Sequence, residues 1–547
     1  MSALNLNYAN SDGRWLPGVM AMLLFAAAAH AAAPGITGPT FNLTAQPAYL
    51  NQPDGQTVYS WGYGCNGAPS GFAPSAISGA SCPTMQVPGP TLIVQAPASG
   101  SITVTVNLTN NLPTAAGNTS ILFPGFNVAT SGGVAGLLTQ EAAPGAVVTY
   151  TLTIPSTAAG THAYYSGTQG DLQVEMGLYG ALIVLPSATP AACSGGIHAS
   201  NLTAEATWGE SDFRLAKAAY NHPQACYDRE YLFQFSEMDA NIHAQAEAQV
   251  KARSNCVAGS AGCTLEVPTE PYHPAYFMIN GRSMPDDMDP NYSALYPHQP
   301  YNGNPHMHPG ELTLLRIIGQ GRWQHPFHEH GNHVRILGRD GNLILSQSDP
   351  GSLAGPLLFT TTTTPGVAMD GIFYWTGKGL NWDAYAHNPA SQDPAAKLPC
   401  TPDANGYNTG APTAINYFEW CQDHNKPLQA APFGDVTPGG PATLPDPNVF
   451  TNGAWYGGSP YFGPDATLRG NAPACVGNPY GTANPASANC TNLQPANLQL
   501  NPANERGWAF MWHSHNEREI TTNNVFPGGM LMMMLVDSRE FVIDESM

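Results

Sequence analysis

The chain has 547 residues and a formal charge of −20, from 18 lysines and arginines against 38 acids. That balance, with no cluster of Lys and Arg, excludes a nucleic-acid partner, which needs cations to neutralise phosphates. Only 10% of residues are charged while 57 are glycine and 50 proline, which excludes a protein of long exposed helices and points to a turn-rich, all-β chain of several domains.

Arg14 precedes an apolar run, LPGVMAMLLFAAAAHAAAPG, that ends in small residues. Ala29-His30-Ala31 and Ala31-Ala32-Ala33 both fit the small-x-small cleavage pattern. The run is too short and alanine-rich for a membrane-spanning helix, and no second run of spanning length follows. A signal peptide is therefore expected over 1–33. The mature protein is expected outside the cytoplasm (periplasmic, at the cell surface or secreted), free of the membrane after cleavage. The 10 cysteines include no Cys-x-x-Cys pair. In an oxidising compartment they predict disulfides, each worth roughly 2–4 kcal/mol. Sequence alone leaves the connectivity open. Neighbour pairing would join Cys65–Cys82, Cys193–Cys226, Cys256–Cys263, Cys400–Cys421 and Cys475–Cys490.

From 40 to 190 the chain reads as strand after strand: TLIVQ, SITVTVNLT, VVTYTLTI and GLYGALIVL, punctuated by Gly, Pro and Asn. Residues 191–228 read as a connector, with a short helix expected in SDFRLAKAAYNHPQA. A second run of strands begins at YLFQFSEMD and continues through YFMINGRSMPD, ELTLLRIIG, HVRILGRDGNLIL and GIFYW, closing with GMLMMMLVD. It occupies 229–547 and is interrupted at about 377–505 by a stretch dense in Asn, Pro, Gly and Ala. Such length without core residues predicts a disulfide-pinned insertion. The expected architecture is two Greek-key β-sandwiches, with a long loop-rich insertion in the second.

Several of these stretches resemble the multicopper oxidases, which are built from cupredoxin domains. Pro88-Gly89-Pro90-Thr91 followed by TVNLTNNLP resembles the start of their first domain, and Gly177-Leu178-Tyr179-Gly180-Ala181-Leu182-Ile183-Val184 its last strand. His325-Pro326-Phe327-His328-Glu329-His330-Gly331 resembles the family's third copper motif. His513-Ser514-His515 stands where the fourth, His-Cys-His, belongs. The resemblance covers about 40–190, 228–375 and 506–540, and it implies copper as cofactor.

The departures are as informative. The family's first domain supplies two His-x-His motifs to a three-copper cluster. Here Leu122-Phe123-Pro124-Gly125 replaces the first motif and Tyr165-Ser166-Gly167 the second. His162 lies at an odd offset from 165 and 167, on the opposite strand face. Four of eight cluster histidines are thus missing, and His328, His330, His513 and His515 remain. In the family the cysteine between the last two histidines ligates a blue type 1 copper. Serine stays protonated near neutral pH and is a poor copper ligand. The later histidine of that site is also replaced, with Glu519 near its register. His325 and Met530 keep the positions of the other two ligands. The resemblance then implies a mononuclear copper bound by three or four of His328, His330, His513 and His515, with an open position toward Tyr164 and Tyr165 of the first domain.

Three weaker signals accompany this set. His306-Met307-His308 has the residue types of a copper clamp, though a solvated loop is the blander reading. Met532, Met533 and Met534 read as packing. Glu329, Glu517 and Glu519 read either as groups orienting a ligand or as solvated acids. Three functions stay open: an exported copper protein with a reduced His-only site and copper-dependent redox chemistry; an oxidase of metal ions or phenols whose cluster is completed across a homo-oligomer; and a non-enzymatic copper carrier or scaffold. The partners expected are a copper ion and a small reductant or metal-ion substrate.

Overall fold

The computed structural model describes residues 32–378, 399–414, 416–423, 458–461, 507–537, 539 and 542–545. Most of the expected signal peptide lies outside them. The first sandwich packs two five-stranded sheets. One sheet orders Gly160–Tyr165, Tyr179–Leu185, Leu92–Gln95, Gly35–Thr37 and Phe72–Ala73. The other orders Thr57–Cys65, Thr40–Asn51, Ser101–Asn110, Val147–Pro155 and Asn127–Ser131. The period-2 pattern of SITVTVNLTN becomes structure here: Val104, Val106 and Leu108 turn inward onto Tyr150 and Leu152, while Thr103, Thr105 and Thr109 turn outward. Each such buried aliphatic side chain is worth roughly 1.5–3 kcal/mol.

The second sandwich pairs a seven-stranded with a six-stranded sheet. The larger runs Tyr276–Ile279, Arg229–Met238, Leu312–Gly319, Ala368–Tyr374, Val334–Arg339 and Asn342–Leu343, with Leu357–Leu358 added beside Val334–Arg339. The smaller runs His306–Met307, Leu531–Asp537, Gly507–Ser514, His325–Glu329 and Thr360–Thr363, with Gly458–Tyr461 beside Gly507–Ser514. Met530, Met532 and Met534 are fully buried in its core with Trp512 and Phe327. Both domains are β-sandwiches, as the strand pattern leads one to expect.

The sandwiches meet through small side chains. Ala163, Ala181 and Ile183 of the first pack on Leu232, Ile318 and Ala368 of the second. A buried polar core sits beside them: Asp370 accepts from Thr161 N at 3.0 Å, Thr161 Oγ1 at 2.5 Å and Tyr220 Oη at 2.6 Å, and Arg316 lies 3.3 Å away. Gly281, with φ of 81°, lets the backbone approach Val87 so closely that an added Cβ would stand 2.2 Å from the Val87 carbonyl oxygen.

One helical expectation needs correction, and one helix was unforeseen. The connector does hold a helix, but over Gly196–Trp208 rather than in SDFRLAKAAYNHPQA. It ends on Gly209 in the left-handed region, a standard stop. The predicted stretch is instead pinned as a loop, with Asp212 holding Arg214 and Glu230 accepting from Leu215 N. A second helix, Ala240–Ala252, was not foreseen, although Asp239 caps it through Asn241 N and its sequence is rich in helix formers. Four disulfides join Cys65–Cys82, Cys193–Cys226, Cys256–Cys263 and Cys400–Cys421, as neighbour pairing expects. Cys475 and Cys490 lie outside the described residues, as does most of the insertion. From the insertion, Tyr417 and Phe418 are buried, with the Phe418 ring filling the space left by Gly310.

Candidate metal centre

Strand register assembles the histidines. His325–Glu329 and Gly507–Ser514 pair antiparallel, with His328 directly opposite His513 and Phe327 opposite Ser514. Alternation keeps His328 and His513 on one face, and His330 and His515 follow just beyond the strand ends. Ring centroids are 4.7 Å apart for His328–His330 and His328–His515. They are 5.1 Å apart for His330–His513 and His513–His515, and 5.8 Å for His328–His513. The four imidazoles named from the motifs therefore share one neighbourhood. His328 and His513 are buried, His330 is half-buried and His515 is exposed.

Protonation favours donor rings. Burial, reinforced by the neighbouring His515, pushes His328 down to about 4. Burial also lowers His513. His513 Nδ1 lies 2.9 Å from the Ser514 carbonyl oxygen, which can only accept, so Nδ1 carries the hydrogen and Nε2 presents a lone pair. That Nε2 stands 3.2 Å from His330 Nε2. Two nitrogens each about 2.0 Å from a tetrahedral ion would be about 3.3 Å apart. His328 Nδ1 is 3.1 Å from Thr360 Oγ1, a partner of the kind that orients a ligating ring. Among the described residues, however, no three His, Cys, Asp or Glu side chains already stand in the geometry of a bound ion. Register fixes which rings are neighbours.

His325 and Met530 lie behind this cage. His325 is fully buried, with Nε2 at 2.9 Å from Glu237 Oε2 and Nδ1 at 3.0 Å from Glu519 Oε2. Burial opposes its charge, but the hydrogen bonds to Glu237 and Glu519 outweigh that and hold it up at about 9. Ser514 Oγ donates to Glu519 Oε2 at 2.5 Å. Met530 is buried, and its backbone bonds both Ser514 N, at 3.0 Å, and Glu519 O, at 2.8 Å. Glu237, which sequence reasoning missed, comes from the opposite sheet, 88 residues before His325. Glu519 is buried rather than solvated, while Glu517 is exposed. Glu329 points into the core and accepts from Thr361, and burial pushes it up to about 8.

Other expected placements change. Tyr164 does not face the cage; it is fully buried in the first sandwich, with its hydroxyl on Pro90 O at 2.7 Å. Tyr165 lies against Gly366. The two replaced first-domain motifs do adjoin one another. Leu122 N donates to Tyr165 O at 2.7 Å, and an added Cβ on Gly167 would meet Leu122 at 2.7 Å. With Leu137, Leu138 and Val174 they line a cleft of ≈ 530 Å³ whose walls offer no imidazole. His162 packs against Phe126 with ring centroids 4.6 Å apart, and its Nε2 lies 3.0 Å from Ala158 O. His306 and His308 form neither a clamp nor a solvated loop: His306 pairs with Asp537 at 2.6 Å and His308 with Glu210 at 2.6 Å, both buried.

Residues 83–189 match the family model described as multicopper oxidase. The matched residues lie within the first sandwich, so the likeness to multicopper oxidases covers that part of the chain. Copper is the cofactor that this match implies. No curated protein matches the chain. Among solved structures, the blue copper oxidase from Nitrosomonas europaea is 15% identical, over 90% of this chain and 85% of that one, at a TM-score of 0.41. The multicopper oxidase mgLAC is 14% identical, over 91% of this chain and 85% of that one, at 0.40. A laccase from Botrytis aclada is 19% identical, over 62% of this chain and 47% of that one, at 0.35.

Proposed function

We propose that this chain is a member of the multicopper oxidase family and an exported, copper-dependent oxidoreductase with one His-only copper site, built from His328, His330, His513 and His515. The observation that supports it is the set of four imidazoles, neighbours at 4.7–5.8 Å, on two paired strands. Neutral imidazoles suit copper, and an all-nitrogen site favours copper over other divalent first-row ions. Bound there, copper would supply one-electron transfer. The chain's own residues hold His328 and His513 neutral by burial, set the His513 tautomer through the Ser514 carbonyl, and leave His515 open for a reductant. Export is supported by the N-terminal apolar run and the disulfides.

The reading is tested by copper stoichiometry with electron paramagnetic resonance, on the full chain and on its His513→Ala/His515→Ala variant. One copper per chain, lost in the variant, is expected. Equal copper in both proteins would refute the site. More than one copper per chain together with oxygen uptake would favour instead a cluster shared between copies, for which the exposure of His515 leaves room.

A further inference from the structure

We infer that Glu237, His325, Glu519 and Ser514 form a positioning chain that holds the two histidine-bearing strands in register, and that His325 is no longer a metal ligand. This rests on the copper site proposed above. Ser514, between His513 and His515, is fully buried and gives its hydroxyl hydrogen to Glu519. Asn516 Nδ2 donates to the other oxygen of Glu519 at 2.8 Å. Beyond Glu519 lies the His325 ring, and beyond the ring lies Glu237. Glu237 also accepts from Arg322 N at 2.7 Å, Trp323 N at 2.9 Å and Tyr272 Oη at 3.2 Å. All four side chains of the chain are at most 2% exposed.

The chemistry follows from what each group can give. Carboxylates accept hydrogen bonds, and the ring lies between two of them, with Nε2 hydrogen-bonded to Glu237 at 2.9 Å and Nδ1 at ion-pair distance, 3.0 Å, from Glu519; that placement favours N–H on both nitrogens. A ring protonated on both nitrogens has no lone pair for a metal. Two buried carboxylates without a cation between them would be strongly unfavourable, so the ring's charge is what lets both stay buried. The blue copper position of the family is thus filled by an organic cation. Its attachments run across the sandwich. Glu237 belongs to the strand Arg229–Met238 in one sheet, while His325 and Ser514 belong to adjacent strands of the other. Ser514 lies between His513 and His515 in the chain, and His325 lies on the strand that carries His328. Partners of this kind, outside the ligand set, typically change metal affinity 10–100-fold.

The test is copper(II) titration and electron paramagnetic resonance on the full-length His325→Gln, Glu519→Gln, Ser514→Ala and Ser514→Thr proteins, with Glu517→Gln as an exposed control and thermal melts to confirm folding. Expected are affinity losses of about tenfold or more and altered copper spectra for the first three, recovery in Ser514→Thr, which keeps the hydroxyl, and no change in Glu517→Gln. Folded variants with wild-type affinity and spectra would overturn the positioning role. Absence of copper from the wild type would instead overturn the proposed function. Ser514→Cys supplies an independent arm. It should develop no intense blue absorption with copper, because His325 offers no lone pair; a blue band would show that the ring is free to ligate.

Discussion

The His325 ring carries a pH dependence that can be worked out from its partners. Its folded value is up to about 9 against an ordinary 6.5, which corresponds to roughly 3 kcal/mol of stability from the protonated ring. Because the folded value is raised, this stability is fully present below about 6.5 and is lost as pH rises through 9. The groups facing the ring are the carboxylates of Glu237 and Glu519, each held by further donors. In His325→Gln the amide can donate to one of them only, and it carries no charge. Scanning calorimetry of wild type and variant at pH 6.5, 8 and 10 would compare melting temperatures. At about 2–4 °C per kcal/mol, the variant should melt roughly 6–12 °C lower at pH 6.5, and the gap should narrow steadily toward pH 10. A gap that stays constant, or widens with pH, would refute the assignment of a buried imidazolium.

Gly281→Ala should lower stability by about 2–4 kcal/mol, since its Cβ would meet the Val87 carbonyl at 2.2 Å from a left-handed backbone; a melt and limited proteolysis between the sandwiches would show it. Trp512→Phe removes the 2.8 Å bond from Nε1 to His330 O, and should cost about 1–3 kcal/mol and weaken copper binding in the same titration. Glu205→Gln should stabilise. Burial, then Glu311, raises this carboxyl to about 8, so its ionisation opposes folding by up to about 3 kcal/mol at pH 7, and the gain in melting temperature should shrink as pH falls toward 4.5.

The strands and the clustering of the histidines were legible because both depend on local period. SITVTVNLTN and GLYGALIVL alternate or run apolar over lengths only strands use, and His-x-His on a strand places both rings on one face whatever surrounds it. What escaped the sequence was non-local. Nothing near His325 announces Glu237, which arrives from the facing sheet through tertiary packing. Asp537, the partner of His306, lies 231 residues away, so a pair that looks like a clamp in isolation is instead tied into buried side-chain hydrogen bonds in the fold. Tyr164 was misplaced for the opposite reason: its alternation sends it inward to the first core, where Pro90 O takes its hydroxyl. The helix Ala240–Ala252 did carry a local signal, its Asp239 cap, which the strands on either side obscured.

The joint around Asp370 bears on how the molecule can be cut apart. One carboxylate of the second sandwich satisfies both the amide and the hydroxyl of Thr161 in the first, with Arg316 alongside. Separating the halves would strand this buried acid and bare the small apolar faces of Ala163, Ala181 and Ile183. An isolated N-terminal fragment should therefore be prone to self-association, and the two halves should mature as a single cooperative body rather than as beads on a string.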